Sequence, residues 1–172
     1  MSRPTRWLPT CVFRCILAST LSLFAISCSQ RHNSVVLHSI GETVELEGWK
    51  VQVISFSLLS ADDAFEPAPG YALCSVELAI ENDTGGIRFM MPERQMQLYC
   101  DGTTYTLDQN ASIMSARLHA WMVTEGEMRP AVNAHGAASY QIPRSAEEVQ
   151  WTFHSGLLPW SPTVTFALVG AP

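Results

Sequence analysis

Five cysteines and five histidines are the side chains with most chemistry to offer, and their spacing limits what that chemistry is. His32, His38, His119, His135 and His154 include no His-x-x-x-His pair and no HExxH pattern, so no helical zinc site is written into the chain. Cys74 and Cys100 supply at most two of the four ligands of a structural zinc centre. Asp62, Asp63 and Glu66 lack the regular spacing and the glycine of a calcium loop, and read as a solvated acidic loop. No Gly-x-Ser-x-Gly elbow is present, and Gly85-Gly86 is turn chemistry rather than a phosphate cradle. The sequence therefore offers no catalytic residues, no metal ligands and no cofactor site above background. An exported hydrolase that gathers dispersed carboxylates or histidines is the alternative, and a purely structural envelope protein is a third reading.

Cys28 carries a different chemistry. The chain opens with Arg3, Arg6 and Arg14, contains no acid in that stretch, and continues into the apolar run Cys15–Ile26. A basic start, a short apolar core and small residues before a cut describe a secretory signal. The run is shorter than the roughly 20 apolar residues of a spanning helix. Ala25-Ile26-Ser27-Cys28 looks like a bacterial lipobox, in which the cysteine takes a lipid and becomes the mature N-terminus; Ala25 stands where leucine is usual. The sequence thus divides into a leader at 1–27, a lipidated Cys28 with a short tether at 28–37, and one domain at 38–172. Ser29, in place of an aspartate after Cys28, leans toward the outer membrane in a double-membrane organism. The expected location is extracytoplasmic, with the membrane reached through acyl chains.

Charge agrees with that route. The whole chain has a formal charge of −6, and loss of the three leader arginines makes the remainder more acidic. Lys50 is the only lysine. Such a surface excludes nucleic acid and an electrostatic grip on anionic headgroups. About 145 residues remain, enough for one domain with a sizeable core.

The elements that must position these residues are strands. Tyr71–Asn82 is the longest clean alternation, with Ala72, Cys74, Val76, Leu78 and Ile80 on one side and Ser75, Glu77 and Glu81 on the other. A period of two with one apolar face is a half-buried strand. Trp49, Val51 and Val53 share one parity and Ile54, Phe56 and Leu58 the other, which predicts a β-bulge or a sheet crossing in mid-strand. Asp101-Gly102 predicts a two-residue hairpin pairing Cys100 with Thr103, Leu98 with Tyr105 and Met96 with Leu107. Ile87–Met90, Ala134–Pro143, Val149–Phe153 and Val164–Leu168 supply further strands. A short helix is expected near 111–119, capped by Asn110 or Ser112. The sum is an all-β, two-sheet antiparallel immunoglobulin-like sandwich of about seven or eight strands.

The order of features resembles a known family. Gly41-Glu42-Thr43-Val44 precedes Trp49-Lys50-Val51-Gln52-Val53, Pro69-Gly70-Tyr71 opens a strand ending in Glu81-Asn82, and Ser139-Tyr140-Gln141-Ile142-Pro143 closes late. This is similar to the telokin-like, immunoprotective extracellular immunoglobulin-type domain of bacterial lipoproteins, a domain of unknown function, over residues 38–169. The resemblance implies a β-sandwich and export and supplies no catalytic residues.

Two groups of residues remain as candidates. Cys74 and Cys100 both sit on inward parities and are expected to form a disulfide, the alternative being two buried thiols. Trp121 and Trp160 lie beside irregular segments and, with Asp62, Asp63 and Phe65 of the acidic loop, are candidate contacts for an unknown protein or envelope component. The overall expectation is a non-catalytic interaction module.

Overall fold

The computed structural model describes residues 36–59, 65–113 and 125–169. Eleven strands are present among them, in two main sheets and a two-stranded ribbon. In chain order they are β1 (Leu37–His38), β2 (Thr43–Leu46), β3 (Trp49–Leu59), β4 (Tyr71–Asn82), β5 (Arg88–Met90), β6 (Met96–Cys100), β7 (Thr103–Thr106), β8 (Gly126–Met128), β9 (Asn133–Pro143), β10 (Val149–His154) and β11 (Thr163–Val169). One sheet runs β1-β11-β10-β6-β7, the other β2-β3-β4-β9, and β5 pairs with β8. All these pairings are antiparallel except β1 with β11, where Leu37 lies beside Thr165 and His38 beside Phe166. No helix among the described residues is long and apolar enough to cross a membrane.

The period-two pattern decides what each sheet buries. Met96, Leu98 and Cys100, then Val149, Trp151 and Phe153, then Val164, Phe166 and Leu168 face inward from one sheet. Trp49, Val51 and Val53, Cys74 to Ile80 on alternate residues, and Ala138, Tyr140 and Ile142 face them from the other. The parity switch in β3 is a bulge: the register with β4 slips between Val53 and Ser55 and leaves Ile54 on the surface. Beyond it Phe56 pairs with Val76 and packs against the core, while Leu58 pairs with Cys74 and stays exposed.

The Asp101-Gly102 hairpin forms as expected, with φ of 46° and 85° at its two corners. Those paired positive angles match the right-handed twist of the strands. Cys100 pairs with Thr103 and Leu98 with Tyr105. The expected Met96–Leu107 pair is absent, because β7 ends at Thr106.

A second turn of the same kind, Glu47-Gly48, joins β2 to β3 with φ of 46° and 78°. A Cβ on Gly48 would overlap the Thr84 methyl group. Gly48→Ala is therefore expected to lose about 2–3 kcal/mol, combining the cost of a left-handed alanine with the overlap. Urea denaturation measures this, and an unchanged midpoint would contradict the turn geometry.

Two local features differ from the sequence reading. Pro92 opens a one-turn helix absent from the sequence reading, α1 (Pro92–Gln95), whose Gln95 side chain accepts from Met91 N–H at 2.7 Å. A second helical stretch covers residues 109–113, and its cap is Asp108, which accepts from Ala111 N–H at 2.9 Å. Neither Asn110 nor Ser112 caps it, and the expected extension to 119 lies outside the described residues. Ser112 instead accepts from Ser139 N–H at 2.9 Å, while Asp108 N–H donates to Ser139 O. The segment thus lies along the free edge of β9, and Leu73, Ser75, Ala137 and Ser139, which point away from the core, are all buried. Strand β4 is accordingly covered on both faces along its first half.

Candidate functional site

One end of the sandwich is locked by a polar cluster. Trp49 Nε1 donates to Ser155 O at 2.8 Å, joining the two sheets. Arg88 lies 4.3 Å over the Trp49 ring and donates to Glu47 O and Ser155 O, and Ser155 Oγ donates to the Glu47 carboxylate at 2.6 Å. Asn82, fully buried, donates to Gly86 O and Met128 O at 2.8 Å each and accepts from the amide and hydroxyl of Thr84. Lys50 is engaged by Asp83 at 2.9 Å. Every strong donor here has an acceptor, so the cluster is a clasp with no reactive group to spare.

A concave surface lies elsewhere, on the outer face of the β1-β11-β10-β6-β7 sheet. Gln97 and Tyr99 of β6, Thr104 of β7, and Gln150, Thr152 and His154 of β10 line a groove of about 500 Å³. Gln97 and His154 also border a second hollow of about 410 Å³ that reaches Glu93, Arg94 and Leu158. Amides and hydroxyls make up most of the lining, and Leu37 and the Glu148 carboxylate complete it. His154 Nε2 is 3.3 Å from Gln97 Oε1, and burial pushes its pKa below the ordinary histidine value, so the ring is neutral at neutral pH. Such a floor can hydrogen-bond a ligand.

The structure treats the sequence candidates unevenly. Trp160 is 77% exposed, the most open of the large apolar side chains described, on the loop between β10 and β11. Phe65 is half-buried. Cys28, Asp62, Asp63 and Trp121 lie outside the described residues. His38 meets Glu42 at 2.8 Å and His135 meets Glu77 at 3.2 Å, in separate places. Among the described residues no three His, Cys, Asp or Glu side chains gather as metal ligands do.

The expected Cys74–Cys100 disulfide is corrected: both are free, buried thiols. They come from facing sheets, and the Cys100 thiol is turned to the Asp101 carboxylate at 3.7 Å. Burial pushes Cys74 up to about 12, with the neighbouring Cys100 adding to the shift. Burial, with Asp101 beside it, raises Cys100 to about 11. Thiols held protonated in this way are poor nucleophiles.

The terminal strands of the two sheets are short or covered at their centre. β1 has two residues, β7 and β2 four each, and the centre of β9 is bonded to residues 108–112. The groove residues were legible as the outward set that alternates with Leu98, Trp151 and Phe153, although solvated positions look the same in a sequence. Asn82 and Arg88 gave no signal beyond turn chemistry and a lone charge.

Residues 38–163 match a domain of unknown function, DUF4352. The chain belongs to the DUF4352 family. No curated protein matches the sequence. Among solved structures, the yjhA protein from Bacillus subtilis is similar to this DUF4352 chain with a TM-score of 0.57 and 13% identity, over 77% of this chain and 99% of that one. A proposed lipoprotein, ycdA, from Bacillus subtilis strain 168 is similar with a TM-score of 0.56 and 10% identity, over 74% of this chain. The DUF4352 chain spans 38% of that protein. A conserved hypothetical protein from Bacillus anthracis gives a TM-score of 0.52 at 14% identity, over 74% of this chain and 89% of its own. At these identities the likeness is one of fold.

Proposed function

We propose that this chain is a lipid-anchored extracytoplasmic binding module of the bacterial envelope, with no catalytic step of its own. Acyl chains on Cys28 hold a telokin-like, immunoglobulin-type sandwich at a membrane face, with the outer membrane favoured by Ser29. The observation that carries the reading is the Ala25-Ile26-Ser27-Cys28 sequence behind a basic, short apolar leader. The fold shared with ycdA, itself described as a proposed lipoprotein, supports it. The groove over Gln97, Tyr99 and Gln150 is the recognition surface in this reading, because it is a hollow lined by hydrogen-bonding amides and hydroxyls together with Glu148 and His154.

Metabolic labelling with an alkyne fatty acid tests the anchor. The wild-type chain is expected to take the label and sediment with membranes, and Cys28→Ala to lose both properties. An unlabelled wild-type protein released into the soluble fraction would overturn the proposal.

A further inference from the structure

The four large apolar side chains that are more than half exposed among the described residues are Trp160 at 77%, Val36 at 68%, Ile87 at 61% and Leu158 at 53%. All four lie at one end of the sandwich. Leu158 and Trp160 are on the β10–β11 loop. Ile87 precedes Arg88, whose guanidinium bonds Ser155 O at the root of that loop. Val36 is placed by the parallel pairing: Leu37 lies beside Thr165, so the chain enters the domain next to the start of β11, where the loop ends.

We propose that this end is the face that rests on a lipid surface, with Trp160 and Leu158 entering the headgroup region. The inference rests on the Cys28 anchor and adds an orientation to it. Seven residues lie between Cys28 and Val36, so the eight steps of the tether span at most about 29 Å fully extended. It leaves the domain at the apolar end and therefore holds that end, rather than the opposite one, within reach of the bilayer. Tryptophan suits this depth, because its ring is amphipathic and its N–H keeps a wet partner. The loop is built to project: Ser155 N–H donates to Pro162 O at 2.9 Å across its base, and Ser161 N–H to Leu158 O at 3.0 Å at its tip. Little loop entropy is lost on insertion. The contact is apolar rather than electrostatic, since the chain is acidic and its single lysine is paired with Asp83.

The test uses the processed full chain reconstituted into phosphatidylcholine vesicles with brominated acyl chains, floated to collect bound protein. Trp49 and Trp151 are buried and shielded from bromine; Trp121→Phe, made alongside, measures the share of the fourth tryptophan of the processed chain. Wild-type tryptophan fluorescence is expected to be quenched, and Trp160→Phe to lose about half or more of that quenching, since interfacial tryptophan would be its main source. Leu158→Ser, which keeps Trp160, is expected to reduce the quenching as well, with circular dichroism showing both variants folded. Equal quenching of floated wild type and Trp160→Phe would overturn the inference while leaving the anchor intact; a protein partner covering this end gives that result. Failure to float would overturn the anchor and this orientation together.

Discussion

Trp151→Ala is expected to lower the stability of the domain by about 3–5 kcal/mol, the range for truncating a large buried aromatic. Trp151 sits on β10 between β11 and β6, is completely buried, and packs on Phe153 and Phe166 with ring centroids 6.3 Å and 6.1 Å away. Its indole N–H donates to the hydroxyl of Tyr140, which comes from the opposite sheet, at 2.9 Å. The alanine variant therefore leaves both a cavity and an unpaired buried hydroxyl, and the two costs add. Tyr140→Phe isolates the polar part: it orphans the indole N–H and should cost about 1–3 kcal/mol. Combining Trp151→Phe with Tyr140→Phe removes donor and acceptor together, so the double variant should lose less than the sum of its parts. Urea midpoints measure all of these. A loss under about 1 kcal/mol for Trp151→Ala would show that Trp151 does not fill the centre of this core.

The second large effect is alkaline. Cys74 is pushed up to about 12 and Cys100 to about 11, chiefly by burial, and burial raises the Tyr140 phenol as well. In the unfolded chain thiols ionise near pH 8.5–9, whereas in the folded chain they keep their protons. The folded state then binds more protons than the unfolded state, so stability falls as pH rises. The contribution is complete below about pH 8.5 and declines between there and about 11–12, by up to about 1.4 kcal/mol per pH unit for each thiol. Denaturation series from pH 7 to 11 under reducing conditions should show this slope. The Cys74→Ala/Cys100→Ala variant should start less stable and decline more gently. A double variant as steep as the wild type would place the alkaline sensitivity in other groups.

Much of the fold could be read from the sequence because burial in a sandwich is a one-bit choice repeated every residue. The inward sets of β4, β6, β9, β10 and β11, the bulge at Ile54 and the Asp101-Gly102 turn all follow from parity and turn chemistry. Parity says which side chains point inward and nothing about which inward residues meet. Parity brings Cys74 and Cys100 into the core from facing sheets, near enough for Cys100 to raise the Cys74 thiol, yet it does not set the orientation a bridge needs: both thiols are free, and that of Cys100 turns to Asp101. Contacts made by irregular segments were equally hidden. Ser75 reads as a solvent-facing position in β4, yet residues 108–112 lie along the edge of neighbouring β9, and Ser75 is buried. Asn82 reads in the sequence as the end of a strand; its role depends on Met128, 46 residues away. Of the candidate site, the exposure of Trp160 was foreseeable from Pro159 and Pro162 on either side of it. The groove was not, because its amides and hydroxyls are ordinary surface residues until the sheet curves.

The short parallel strand β1 has a mechanical consequence. Tension on a chain anchored upstream enters the domain at Val36 and runs along the axis of β1, loading its two pairings with β11 together. Behind them stand the His38–Glu42 contact, the Gly41 N–H bond to Val53 O and the Gln52 side chain bonded to Gly41 O. If β1 peels away, residues 36–42 join the tether and lengthen it by about 23 Å before load reaches β2. The sandwich core would remain whole throughout, so the domain carries its own extensible leash in series with a stiff body.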